Sequence, residues 1–139
     1  MADLFASVAP KRKRGRRVAQ EIGIEEIKRA EDYLKGYRLN GKLLRLDKYA
    51  KEYFEKSDAV EYESIGEVPL ARARMYEVRH FINSFPNCNE KLYLYYHYIK
   101  GESAERCGEL FGISRSSSFR MKRRALIMAA EALMDRNAR

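Results

Sequence analysis

Apolar residues recur at intervals of three and four along most of the chain, which is the period of a helix with one face turned inward. From Glu21 to Lys56 the run Ile24, Ile27, Tyr33, Leu34 is followed by Leu43, Leu46, Tyr49, Ala50, Tyr53 and Phe54. Between the two groups "GYRLNG" holds Gly36 and Gly41, residues suited to ending one helix and starting a turn. The pattern therefore predicts a helical hairpin over 18–56. In "KSDAVEYESIGEVP" the period is lost and four acidic residues gather before Pro69, so 57–69 is expected to be a linker. A third helix is predicted from Leu70 to Phe85, stopped by "PNCN", with Asn87 or Asn89 as the cap of the next. "EKLYLYYHYIKG" fits a helical stripe of Leu92, Tyr95, Tyr96 and Ile99 and also a strand alternation. Its helical neighbours and Gly101 favour helix, with the tyrosines as packing residues rather than a stacking platform for bases. The fold class expected is all-α.

The pattern is most specific in "GESAERCGELFGISRSSSFRMKRRALIMAAEALMDR". Ser103 is a suitable N-cap for a short helix that turns Cys107, Leu110 and Phe111 inward. Gly112 supplies the positive φ of a tight turn, Ile113 is expected to plug it, and Ser114 to cap a second helix. A short helix, a glycine turn and a longer helix make the layout of a helix-turn-helix, here within a unit spanning 70–139. At about 100° per residue, Met121, Ala125, Met128, Ala129 and Ala132 fall in one sector and should face the core. Ser116, Ser117, Arg120, Arg123 and Arg124 fall opposite. Leu126, Ile127, Ala130 and Met134 lie outside the core sector, which suits packing within the chain and a homodimer equally. Ser118 should point inward and needs a backbone acceptor, most simply the Ser114 carbonyl.

Charge sharpens this reading. The chain of 139 residues has a formal charge of +8. Residues 1–17 carry six basic residues against one acidic, 18–89 twelve against thirteen, and 90–139 ten against six. A polyanionic partner is thus expected at the two ends. Residues 1–17, ending in "KRKRGRR", have no apolar period and read as a disordered basic arm. Between Arg115 and Arg124 there are five basic residues and no acidic one. Ser116, Ser117 and Arg120 are the candidate base contacts, since small side chains approach bases closely and arginine pairs with guanine O6 and N7. Arg115, Lys122, Arg123 and Arg124, with Lys11, Arg12, Lys13 and Arg14 of the arm, are the candidate phosphate contacts. A phosphorylated Arg-Ser tail is disfavoured because such tails do not lead into "ALIMAAEALM".

Other chemistry finds little support. Cys88, Cys107, His80 and His97 are too scattered for a zinc spacing, so no metal and no cofactor are expected. No nucleophile or phosphate-loop motif is present, so no catalytic residue is assigned and an enzyme is not expected. No apolar run reaches about 20 residues, and "MADLFASVAP" lacks the form of a secretion signal, so a cytoplasmic chain with no membrane partner is expected.

With these residues in view, "LYLYYHYIKGESAERCGELFGISRSSSFRMKRRAL" resembles the helix-turn-helix of sigma-factor region 4. It is more particularly similar to the small phage late-gene transcription regulators of the ArpU and RinA type. The similarity covers Asn83 to Leu133 and weakens back through "ARARMYEVRHFINSFP". It departs at Cys107 and Gly108, where the pattern has Ile-Ala, and at Ser118, where it has a β-branched apolar residue. The resemblance implies sequence-specific binding of promoter DNA in a bacterial host cell and leaves a contact with RNA polymerase open. It disfavours a nuclear localisation signal in the arm. Two other readings stay open. In a packaging protein of the small terminase kind, the DNA-binding module would be expected first rather than last. An RNA-binding antitermination factor would use the arginine-rich arm.

Overall fold

The computed structural model describes residues 22–57 and 68–138, and every regular element among them is helical. The basic arm, with Lys11, Arg12, Lys13 and Arg14, and most of the predicted linker lie outside the described residues.

Helix α1 runs unbroken over Ile24–Ser57. Its start is closed by the Gly23 amide donating to Glu26 Oε1 at 2.9 Å. Glu25 and Glu26 in the first turn and Lys56 in the last complement the helix dipole. The hairpin expected over 18–56 is therefore corrected to one helix, with Gly36 and Gly41 in its interior. Each glycine costs about 1 kcal/mol of helix propensity, which tertiary packing overrides. Gly41 is buried, and a Cβ there would lie 3.4 Å from Met75 Cε of the following helix. The Gly36 carbonyl is bonded by Asn40 Nδ2 at 2.7 Å.

The hairpin that does form pairs α1 with α2, Val68–Asn83. Tyr33 meets Glu77 and Phe81, whereas Gly41 lies against Met75, so the two helices run antiparallel. Pro69 belongs to the first turn of α2 rather than to a linker, consistent with its fixed φ and lack of an amide donor. The helix ends at Asn83, two residues before the expected stop. Ser84 Oγ donates to the Phe81 carbonyl at 2.6 Å, beside the Ser84 amide at 3.2 Å.

Helix α3 covers Asn89–Leu94 and passes directly into a π-helical turn, Tyr95–Ile99. Its N-cap is Cys88 in extended conformation, with no side-chain cap bond, so neither Asn87 nor Asn89 has the expected capping role. The wide turn is closed by Lys100 N donating to Tyr95 O at 3.0 Å and ended by Gly101 at φ 81°. The inserted residue shifts the helix phase. Tyr93, Leu94 and Tyr98 are buried, while Leu92 of the expected stripe is exposed.

Helix α4, Ala104–Phe111, and helix α5, Arg115–Ala138, complete the fold. Helix α5 packs on α1, α3 and α4 together. This explains its two apolar faces: Met121, Ala125 and Ala129 are buried as expected, and so are Leu126 and Ala130 outside that sector. The second face is covered only in part, since Ile127 is half-buried and Met134 is 39% exposed. At the far end of α5, Arg136 reaches Glu77 Oε2 at 2.8 Å and sits over the Tyr33 and Phe81 rings. That contact joins the end of α5 to both helices of the hairpin.

Candidate nucleic-acid interface

Local sequence sets the junction between α4 and α5. Ser103 Oγ accepts from Arg106 N at 3.1 Å and starts α4. Gly112 takes the left-handed conformation, φ 67° and ψ 34°, which ends it. After Ile113, Ser114 Oγ accepts from Ser117 N at 3.1 Å and starts α5. Of the residues expected to turn inward, Cys107 is fully buried and Phe111 half-buried, but Leu110 is 45% exposed. Ile113 is half-buried, closing the turn without vanishing into it. Burial pushes the Cys107 thiol up, so it stays protonated and is poorly suited to nucleophilic attack.

The α4–α5 crossing is tight because two small residues meet there. A Cβ on Gly108 would lie 3.2 Å from the Ile113 carbonyl oxygen and 3.3 Å from Ser118 Cβ. Ser118 is fully buried and donates to the Ala104 carbonyl at 2.6 Å. Its acceptor is thus not the Ser114 carbonyl, which instead accepts from the Ser118 amide at 2.9 Å. The buried hydroxyl bonds across the crossing, from α5 to the first turn of α4. Gly108 and Ser118, two of the departures from the regulator pattern, are in contact and complementary. Tyr93 packs nearby with its hydroxyl buried close to Ser118 but without a hydrogen bond of normal geometry among the described residues, and burial raises its pKa.

The candidate base contacts stand together on the outer side of the first two turns of α5. Ser116 and Arg120 are exposed and Ser117 is half-buried. Ser117 Oγ accepts from Ser114 Oγ at 3.0 Å and from Arg120 Nη2 at 3.1 Å, so the cap serine and its neighbour orient the Arg120 guanidinium.

The candidate phosphate contacts divide. Arg123 is exposed and has no ion pair among the described residues. Arg115 pairs with Glu105 at 3.3 Å and Arg124 with Glu90 at 3.4 Å. Each arginine is more than half exposed, and such pairs are worth about 0–1 kcal/mol, little enough to be exchanged for a phosphate. Lys122 is different. It is only 26% exposed and its Nζ lies 3.3 Å from Glu31 Oε2, so it belongs to the α1–α5 contact and is removed from the outer face.

Glu31 also accepts from the Tyr98 hydroxyl at 2.8 Å and lies 3.7 Å from Lys35 Nζ. Burial tends to raise its pKa, but the Tyr98 hydrogen bond and the Lys122 charge outweigh this and hold it below 4.5. Burial first, and then this carboxylate, push the Tyr98 hydroxyl far up, keeping it a donor.

One exposed residue is missing from the sequence-derived interface. Phe119 is 43% exposed beside the base-contact cluster, with the Arg115 guanidinium 5.6 Å from its ring centre. The angular count carries the signal for it, since it sets Phe119 beside Leu126 and Ala130 on the second apolar face.

Among the described residues no group of His, Cys, Asp and Glu is placed to hold a metal ion. Among the same residues no helix is long and apolar enough to cross a membrane. Neither a protein-family model, nor a curated protein, nor a solved structure matches the chain.

Proposed function

We propose that this chain is a sequence-specific DNA-binding transcription regulator that reads promoter DNA with the first turns of α5 in the major groove. One observation carries the reading: Ser116, Arg120 and Arg123 project outward from the start of a 24-residue helix whose opposite side is locked in the core. A recognition helix needs such rigid support, because base discrimination depends on holding side chains within hydrogen-bonding reach of base edges. In this reading Arg120 pairs with guanine O6 and N7, and Ser116 and Ser117 line the close approach. Arg123, Arg115 and Arg124 take phosphates on either side.

The layout supports a helix-turn-helix, and its resemblance to sigma-factor region 4 and the ArpU and RinA regulators motivates a phage or prophage source. A bacterial cytoplasmic setting and a contact with RNA polymerase belong to the same proposal. Leu126 and Ala130 are covered within the chain whereas Met134 is 39% exposed, so a homodimer formed through the end of α5 stays part of the proposal. The test is a gel shift on prophage promoter fragments against random duplex at two salt concentrations. Wild type is expected to prefer some promoter fragments. Arg120→Ala should erode that preference by about 1–3 kcal/mol, and Arg123→Ala should weaken all duplexes alike. Equal affinity of wild type for every duplex would refute sequence-specific reading.

A further inference from the structure

Between α1 and the loop that enters α4 lies an open cleft of about 370 Å³. Lys35, Arg38 and Lys42 line one wall, Tyr98 and the Gly101–Ser103 segment the other. The three cations are spaced three and four residues apart and therefore share one side of α1. Lys35 is partly engaged by Glu31 at 3.7 Å. Arg38 and Lys42 are exposed and make no ion pair among the described residues.

Arg38 reaches the opposite wall. Its guanidinium lies against Gly101, at a point that any Cβ on that residue would overlap. Gly101 is required for its positive φ, and a side chain there would also displace the guanidinium.

The negative groups around the cleft are already satisfied. Glu102 pairs with Arg106 Nε at 3.4 Å, and Glu31 is shared among Tyr98, Lys122 and Lys35. His97 adds no charge near neutrality, since burial pushes its pKa down by more than the Nδ1 contact with the Glu102 carbonyl oxygen, at 2.6 Å, raises it. Two cations with no ion pair among the described residues therefore face a concave surface, an arrangement suited to a phosphate group.

The cleft also adjoins the proposed interface. Ser103 forms its rim, and Glu105, two residues further on, pairs with Arg115, the first residue of α5. In a helix-turn-helix complex the first helix of the motif crosses the DNA backbone beside the groove that the second enters. We infer that this cleft takes a backbone phosphate of the bound DNA between Arg38 and Lys42, which makes α1 part of the DNA-binding surface. The inference rests on the DNA-binding reading above.

The test compares full-length wild type with the double variant Arg38→Gln/Lys42→Gln by fluorescence anisotropy, on a preferred and a random duplex across a salt series. A second double variant, Lys28→Gln/Arg29→Gln, makes the same charge change on α1 away from the cleft. Thermal melts of all three check folding. Losing one neutralised phosphate makes the slope of log affinity against log salt shallower by about 0.9, and this is the change expected for the cleft variant, with its sequence preference intact. The control variant should keep the wild-type slope.

If wild type binds duplex and the cleft variant has the same slope, or if the control slope falls as far, the inference is overturned while DNA binding stands. If wild type binds no duplex, both fall. A parallel NMR titration with inorganic phosphate and with adenosine triphosphate separates the remaining source. Micromolar saturation of the Gly101 and Ser103 amides by the nucleotide, with an unaltered DNA slope, would overturn the proposal in favour of a free phosphorylated ligand.

Discussion

Replacing Gly108 by alanine sets two effects of opposite sign against each other. A glycine inside an eight-residue helix gives up about 1 kcal/mol of helix propensity relative to alanine, so propensity alone predicts a stabilised variant. The added Cβ, however, would lie 3.2 Å from the Ile113 carbonyl oxygen, 3.3 Å from Ser118 Cβ and 3.6 Å from the Ser114 carbonyl oxygen. None of these atoms is the mobile end of a side chain. Relief requires α5 to move away from α4, which disturbs the 2.6 Å Ser118–Ala104 bond and the 2.9 Å bond from Ile113 N to Gly108 O. Overpacking of this kind costs about 1–3 kcal/mol. The expected net result is destabilisation by about 1 kcal/mol, or about 4 °C in melting temperature for a domain of this size. Paired urea and thermal melts measure it. Adding Ser118→Gly removes the opposing Cβ, so the destabilisation of the double variant should be smaller than the sum of the two single changes. A Gly108→Ala variant more stable than wild type by about 1 kcal/mol would show that the crossing has room to spare and that the packing argument is wrong.

Three further outcomes follow from the buried polar contacts. Ser118→Ala should cost about 1 kcal/mol in a denaturant melt, because it removes the hydroxyl bond that spans the crossing. Lys122→Ala should lower stability by removing the ion pair with Glu31 and leave the salt slope of DNA binding unchanged, whereas Arg123→Ala should make that slope shallower by about 0.9. Because the Glu31 pKa is depressed in the fold, its stabilisation is complete above 4.5 and disappears as pH falls below that value. Urea midpoints measured from pH 6 to pH 3 should therefore fall less steeply for Glu31→Gln than for wild type.

Local signals in the sequence are the ones that transfer to the structure. Ser103, Gly112 and Ser114 each act within a few residues of themselves, and each has the expected capping or turn geometry. The features that differ depend on contacts between distant parts of the chain. Gly36 and Gly41 look like a turn until α2 is laid against α1, where the missing Cβ at 41 admits Met75. The acceptor of Ser118 lies fourteen residues away and exists only because the two helices cross. Lys122 resembles its basic neighbours in sequence. The angular count nevertheless sets it between Ala129 and Leu126, two buried positions, and Glu31 on a separate helix waits there. The π turn has no marker in "LYLYYHYIKG", and neither has the exposure of Leu92 beside the buried Tyr93. Arg38 and Lys42 look like ordinary helix charges in the sequence, since nothing local indicates that a cleft forms beside them.

Base reading by the outer face of α5 is the central claim. Selection of bound duplexes from a random pool by the full-length protein, repeated with Arg120→Ala, tests it most directly. Wild type is predicted to enrich a short common sequence containing at least one guanine position, and Arg120→Ala to relax the choice at that position while still retaining DNA. Pools that stay random after successive rounds with wild type, or an identical enriched sequence from both proteins, would contradict it.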